Sequence, residues 1–270
     1  MAQLIVQIYE VQTPSEAENL MAMGVDHIGS VVVSRKAWKV PSIRDTVNLV
    51  QGKGGRSSLI PLFDDLETIC FMLDYYHPDI VHFCEAIALE NGPGALCKKL
   101  LLLQKNIKKR FPEIQIMRSI PIPQPQVPNQ GETLELMRMF EAVSDYFLTD
   151  TLVVKPLGSI FDVQPVKGFV GITGKTCNWD VATQLVQSSH IPVILAGGIT
   201  PDNVFNGIMK VMPAGVDSCT GTNALDVEGR SIRFKKDLEK VKHMVKEVRR
   251  AELCLSGLIR HSASADKSLK

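Results

Sequence analysis

Short apolar runs recur along the chain, and each is followed by a stretch with helical spacing. Residues 4–8, 25–33, 58–63, 79–84, 114–122, 146–149, 191–195 and 215–218 are rich in Val, Ile and Leu and read as strands. Most are apolar on both faces, as in a parallel sheet covered on both sides. Helical stretches lie between them, at residues 13–23, 45–51, 64–76, 94–111, 132–143, 180–188 and 201–212. A closing amphipathic helix is expected over residues 231–250. Local signals mark the ends. Thr13-Pro14-Ser15-Glu16 gives a cap, a proline at the first helical position and an acid in the first turn, while Gly24 ends that helix. Asp64 is placed to cap the helix that follows strand three. The prolines between residues 121 and 128 are read as a loop after strand five. Residues 151–170 form a long connection, of the length that serves as a lid or binding loop.

Eight strands alternating with helices predict a single-domain α/β fold, a (β/α)8 TIM barrel over residues 1–255, with a flexible tail at 256–270. An open doubly wound sheet is the competing arrangement. The 270 residues and 45% apolar content suit one barrel core. The net charge of +1 gives no field that would gather nucleic acid or an anionic membrane. Six scattered cysteines form no CxxC pair, so neither a metal knuckle nor a disulfide framework is expected, and no metal or cofactor is called for. A soluble cytoplasmic protein with reduced thiols, monomer or homodimer, is the expectation.

Function in such a barrel lies in the loops after the strands. The stretch Gly171-Ile-Thr-Gly-Lys-Thr-Cys-Asn-Trp and the stretch Leu195-Ala-Gly-Gly-Ile-Thr-Pro-Asp-Asn-Val read as glycine turns that each open a helix, whose bare N-terminal amides make an anion site. Main-chain amides at such turns hold a phosphate, and glycine lets the anion approach. The expected ligand is therefore a small phosphorylated compound, gripped by Gly171, Thr173, Gly174, Gly197, Gly198, Thr220 and Gly221. A nucleotide P-loop is excluded, because Phe169 stands where that motif needs glycine. Glu10, Asp64, Glu85 and Asp150 at strand ends, with Arg118 in strand five, suggest a charged mouth fit for acid–base work. Simpler readings stand beside these: Glu10 and Glu85 as solvated loop carboxylates, His82 as a hydrogen-bonded interior residue. Arg118 is read as facing the barrel interior if Ile116 and Ile120 face the helices, which would require a carboxylate or a ligand phosphate nearby.

The glycine stretches, with Val216-Asp217-Ser218-Cys219-Thr220-Gly221 and Gly24-Val-Asp-His-Ile-Gly29, resemble the phosphoribosylanthranilate isomerase family over about residues 4–245. The resemblance implies a ribulose-phosphate-binding barrel and an Amadori rearrangement, an aldose–ketose isomerisation of tryptophan biosynthesis. It implies Asp150, in Tyr146-Phe-Leu-Thr-Asp150, as general acid. The family's basic cysteine at the end of strand one is replaced here by Tyr9, with Glu10 in place of the following glycine. His82-Phe83-Cys84-Glu85 departs from the family's strand four, and its arginine after strand two has several possible partners in Arg35, Trp38 and Lys39. The candidate catalytic residues are therefore Asp150, Tyr9, Glu10, Cys84, Glu85 and Arg118. A phosphoribosyl enzyme of lyase or aldol type, and a non-catalytic phosphate-binding barrel, are the competing functions.

Overall fold

A computed structural model describes residues 3–87, 94–127, 130–153 and 164–265. Eight parallel strands close a barrel in sequence order: β1 (Ile5–Ile8), β2 (His27–Val32), β3 (Arg56–Pro61), β4 (Ile80–Phe83), β5 (Gln115–Pro123), β6 (Tyr146–Leu152), β7 (Val193–Leu195) and β8 (Gly215–Ser218). Closure is made by β8 on β1, with Ile5 aligned to Gly215 and Gln7 to Asp217. The connecting helices are α1 (Pro14–Ala22), α2 (Pro41–Gly52), α3 (Leu66–Tyr76), α4 (Ala95–Arg110), α5 (Gln130–Phe140), α6 (Trp179–Ser188) and α7 (Val204–Val211), and α8 (Leu238–Ala265) completes the ring. None of the described helices is long and apolar enough to cross a membrane. One apolar layer fills the space between strands and helices, and a second, around Val31, Ile80, Met117, Leu148 and Ile194, fills the lumen.

Local chemistry explains most boundaries. Thr13 accepts the Glu16 amide at 3.4 Å and Pro14 opens α1. The cap of α3 is Asp65, which accepts the Thr68 amide at 3.0 Å; Asp64, expected there, instead pairs with Lys99. β5 runs on through Pro121 and Pro123, part of the stretch expected to be loop. β4 ends at Phe83 opposite Arg118, so beyond that point β5 has a free edge where proline forfeits no ladder bond. β6 likewise runs past Thr149, so Asp150 lies inside the strand rather than after it.

The largest departure follows β8. A two-stranded antiparallel ribbon, β9 (Asn223–Leu225) with β10 (Ser231–Lys236), occupies the start of the expected closing helix. Ser231-Ile-Arg-Phe-Lys-Lys alternates in exposure with period two, which suits a strand, and Asp237 then caps α8 by accepting the Glu239 amide at 3.0 Å. The helix continues to Ala265, into the stretch expected as tail. Residues 154–163 of the long 151–170 connection lie outside the described residues, so the lid expected there concerns chain that is not described.

Candidate active site

The two glycine corners meet at the carboxyl end of the barrel. Ile172, Thr173, Gly174, Gly197, Gly198, Thr220 and Gly221 line one cleft of about 340 Å³. Gly174, Gly197 and Gly198 have φ of 64°, 85° and 66°, in the left-handed region. A Cβ on Gly198 would lie 2.6 Å from the Lys175 carbonyl oxygen, so the corners are packed backbone to backbone. Thr151 reinforces the contact by donating from Oγ1 to that oxygen at 2.6 Å. Among the described residues, no main-chain acceptor takes the Gly174 or Gly198 amide.

The corners do not open helices directly. α6 starts five residues after Gly174, and Asn178 Oδ1 already accepts the Asp180 and Val181 amides there. The Thr220–Thr222 segment is a single 3-10 turn. The cleft therefore offers loop amides to an anion, and α6 directs none of its first-turn donors at it.

A second, partly open pocket adjoins the cleft. Its walls include Tyr9, Glu10, His82, Cys84, Asp150, Phe169, Gly171, Asp217 and Cys219. Asp150 and Asp217 line both spaces. Burial pushes the Asp150 carboxyl up to about 7, against the Thr151 amide that donates to it at 2.8 Å. A Cβ on Gly171 would sit 2.5 Å from Asp150 Oδ2, so this glycine makes room for the acid. Burial, with the charge of Asp150, pushes Asp217 up to about 8, while Gln7 Nε2 donates to it at 3.2 Å and Lys236 draws it down. Two carboxyls poised near neutrality in one cavity suit proton transfer in both directions. Asp217 was missing from the candidates drawn from sequence, although its signal was present: an acid inside an otherwise apolar strand is costly unless used.

Tyr9 is placed differently from a base. Its hydroxyl contacts Ser58 Oγ at 2.5 Å and His82 Nδ1 at 2.8 Å, and His82 Nε2 contacts Ser119 Oγ at 2.8 Å. The ring lies over Gly29, where a Cβ would come within 2.6 Å of its Cγ. Burial raises the Tyr9 hydroxyl well above its ordinary value of 10. Burial and the Arg118 charge lower His82 to about 3, so the imidazole is neutral. Cys84 lines the cavity, but burial and the neighbouring Glu85 and Asp150 charges raise its thiol well above 9.

Arg118 and Glu85 stand outside the cavity wall. Residues two apart on a strand share a face, so Arg118 lies on the helix side with Ile116 and Ile120, contrary to the expected interior position. Its guanidinium packs 4.8 Å from the Phe140 ring and donates to Glu85 Oε2 at 2.5 Å. The required carboxylate is thus Glu85, and the pair is fully buried beneath the helices. Glu10 has φ 64°, is 1% exposed, and accepts Arg233 Nε at 2.7 Å from the β9–β10 ribbon. Arg35, a candidate for the family's arginine, pairs with Asp65 on the surface, and Lys39 lies against Trp38 and Tyr75. Among the described residues no group of three or more His, Cys, Asp or Glu could hold a metal ion.

Residues 113–247 match the family model of N-(5'-phosphoribosyl)anthranilate (PRA) isomerase. This stretch is half of the chain and carries both glycine corners, Asp150 and Asp217. The chain is 34% identical over 146 residues to N-(5'-phosphoribosyl)anthranilate isomerase 2 of Methanosarcina mazei, covering 52% of this chain and 57% of that one. The aligned region thus spans just over half the length of such curated relatives. The fold is similar to that of phosphoribosyl anthranilate isomerase from Thermotoga maritima, with TM-score 0.63, 18% identity, and coverage of 92% and 99% of the two chains. It is also similar to a phosphoribosyl anthranilate isomerase in complex with reduced 1-(o-carboxyphenylamino)-1-deoxyribulose 5-phosphate, with TM-score 0.62, 17% identity, and coverage of 92% and 99%. With the paired glycine corners and the buried acid of β6 in place, the chain belongs to the N-(5'-phosphoribosyl)anthranilate isomerase family.

Proposed function

We propose that this chain catalyses an Amadori-type aldose–ketose isomerisation of an N-(5'-phosphoribosyl) amine, with Asp150 as general acid. One observation carries the reading: a carboxyl held near pKa 7 lines both an amide-lined cleft and the adjoining pocket walled by Tyr9, His82, Phe169 and Asp217. The cleft, including Thr173, Gly174, Gly197, Gly198, Thr220 and Gly221, takes the phosphate; Gly171, expected in that grip, lines the adjoining pocket beside Asp150 instead. The furanose then lies across Asp150. Its proton goes to the ring oxygen, the C1–O bond breaks, and the nitrogen lone pair forms a C1=N bond. Loss of the C2 proton gives an enolamine. The enol oxygen then gives up its proton as C1 gains one, and a 1-amino-1-deoxyketose results. Asp150, left as carboxylate by the first step, is placed to take the enol proton and so is restored. The PRA assay tests this: wild type should turn over, and Asp150→Asn should lose about 10²–10⁴ in kcat, the usual worth of a positioned acid. Equal turnover by both proteins, or none by wild type, refutes it.

The charge of the cavity wall supports a second reading, that the amine differs from anthranilate. The charged groups among the described lining residues are Glu10, Asp150 and Asp217, all acids. Arg233, the nearest cation to Glu10, is engaged by it. Among the described lining residues a buried aryl carboxylate would find no cation, at a cost of several kcal/mol. A higher kcat/KM for a phosphoribosyl derivative of an uncharged arylamine than for PRA favours this reading; the reverse order removes it.

A further inference from the structure

The isomerisation needs a base for the C2 proton, and the position that the family resemblance assigns to it holds Tyr9. The other titratable groups of the cavity wall are less well placed for it. The Tyr9 hydroxyl is shared between Ser58 and His82, and both His82 nitrogens are engaged. Glu10 is tied to the β9–β10 ribbon through Oε1, which takes two Arg233 nitrogens, while its Oε2 is buried without a partner. Glu85 faces Arg118 behind the wall. The Cys84 and Cys219 thiols are buried and far from ionising at neutral pH. Asp150 is occupied with the ring oxygen.

Asp217 remains. It lies on β8, the strand hydrogen-bonded to β1, in register with Gln7 two residues before Tyr9. It opens on both the phosphate cleft and the sugar cavity. An orienting chain stands behind it: Gln7 Nε2 donates to Asp217 Oδ1 at 3.2 Å, and Gln7 Oε1 meets His27 Nδ1 at 3.2 Å. Such backing fixes a base in one rotamer.

We propose that Asp217 is the general base of this enzyme, taking the proton from C2 of the substrate and returning it to C1. The inference rests on the isomerase reading above. The step starts from ionised Asp217, the minor form at neutral pH because burial moves this carboxyl to about 8, and from there the atoms balance within the site. Asp217 gains the C2 proton as the C2–H electrons form C1=C2 and the C1=N electrons return to nitrogen. It then delivers that proton to C1 while the enol proton passes to Asp150, so both carboxyls end as they began. No group outside the two acids is needed. Because the base has moved one strand round the barrel, the substrate ring must present C2 towards β8 rather than towards the end of β1.

The test uses the reverse half-reaction, enolisation of the ketose. Wild type, Asp217→Asn and Asp150→Asn are incubated with 1-(o-carboxyphenylamino)-1-deoxyribulose 5-phosphate in deuterium oxide. Loss of the C1 proton signals is followed by NMR, beside forward turnover of PRA. Wild type should exchange C1 protons, and Asp217→Asn should slow both exchange and turnover by about 10²–10⁴. Inorganic phosphate, read by thermal shift, should bind Asp217→Asn as tightly as wild type or more so, since a carboxylate beside the anion is removed. Exchange retained in Asp217→Asn while wild type turns over defeats the base assignment and leaves the isomerase reading intact. Loss of phosphate binding in that variant also defeats it, by showing a structural role. Neither exchange nor turnover by wild type defeats both.

Discussion

Replacing Asp217 by asparagine should stabilise the protein increasingly as pH rises. Burial moves this carboxyl from 3.8 to about 8. Between those values the folded chain holds a proton that the unfolded chain has released, so the free energy of unfolding falls as pH rises. The loss begins near pH 4 and is complete near pH 8. Four pH units at about 1.36 kcal/mol each set a ceiling of ~5 kcal/mol. Part of the shift is repulsion from Asp150, whose own carboxyl also titrates late, and this sharing lowers the figure for Asp217 alone to ~3 kcal/mol. With an unfolding entropy of ~2.1 cal/mol/K per residue, a chain of this length moves its melting temperature by ~5 °C for that energy. Asparagine keeps the size, can accept the Gln7 hydrogen bond and cannot ionise. His27 and His82, lowered to about 4 and about 3, act in the opposite sense. They make stability fall as pH drops through the unfolded value of about 6.5, but equally in both proteins. Melting curves of wild type and Asp217→Asn at pH near 5 and 8.5 are therefore compared as differences. The advantage of the variant should grow by ~4 °C between them, since about three of the four pH units fall in that window. A difference that does not change with pH would refute the buried, late-titrating acid and the reasoning built on it.

Three further substitutions test the placement of the other groups. Tyr9→Phe removes the hydroxyl between Ser58 and His82 and should cost ~1–3 kcal/mol in urea unfolding, without the ~10²–10⁴ fall in kcat that losing a base brings. Arg118→Met leaves Glu85 buried without its cation and should destabilise by ~3–5 kcal/mol; adding Glu85→Leu should recover most of that, as measured by the same unfolding curves. The pair already leaves Glu85 Oε1 and Arg118 Nε without partners, which makes an apolar replacement well tolerated. Gly198→Ala meets both a φ of 66° and the Lys175 backbone. It should cost at least ~1 kcal/mol and weaken phosphate binding measured by calorimetry about tenfold or more.

The barrel was legible because parallel strands buried on both faces leave unbroken apolar runs, and eight of them alternate with capped helices. The glycine corners were legible because glycine is required where backbone meets backbone. Side-chain facing was not read as well. Arg118 was assigned inward because its neighbours at 116 and 120 were treated as opposite in phase, whereas the pleat puts all three together. The β9–β10 ribbon was absorbed into a helix because the six residues from Ser231 to Lys236 stand directly before a long amphipathic stretch. Their period of two was the clue, and Asp237 the boundary. Asp217 was seen only as part of a resemblance, since a single acid in a short strand carries no spacing to interpret.

The two halves of the site rest on different physics, and this explains where the chain follows its family and where it departs. The phosphate side is backbone packed on backbone: a Cβ at Gly197, Gly198 or Gly221 would strike Thr151, Lys175 or the Ile199 carbonyl. No side-chain change can be made there without moving the chain. The opposite side is built from side chains that hold one another. Tyr9 needs the bare Cα of Gly29 beneath its ring, Ser58 and His82 at its hydroxyl, and Ser119 behind His82. Returning a cysteine to position 9 alone would leave a void where the ring now packs and would strip His82 and Ser58 of a shared partner. Removal of a buried aromatic ring costs ~3–5 kcal/mol. A lumen wired in this way settles the protonation of position 9 before any substrate arrives. In the proposed reaction, proton transfer then falls to the carboxyls Asp150 and Asp217, which burial moves to about 7 and about 8.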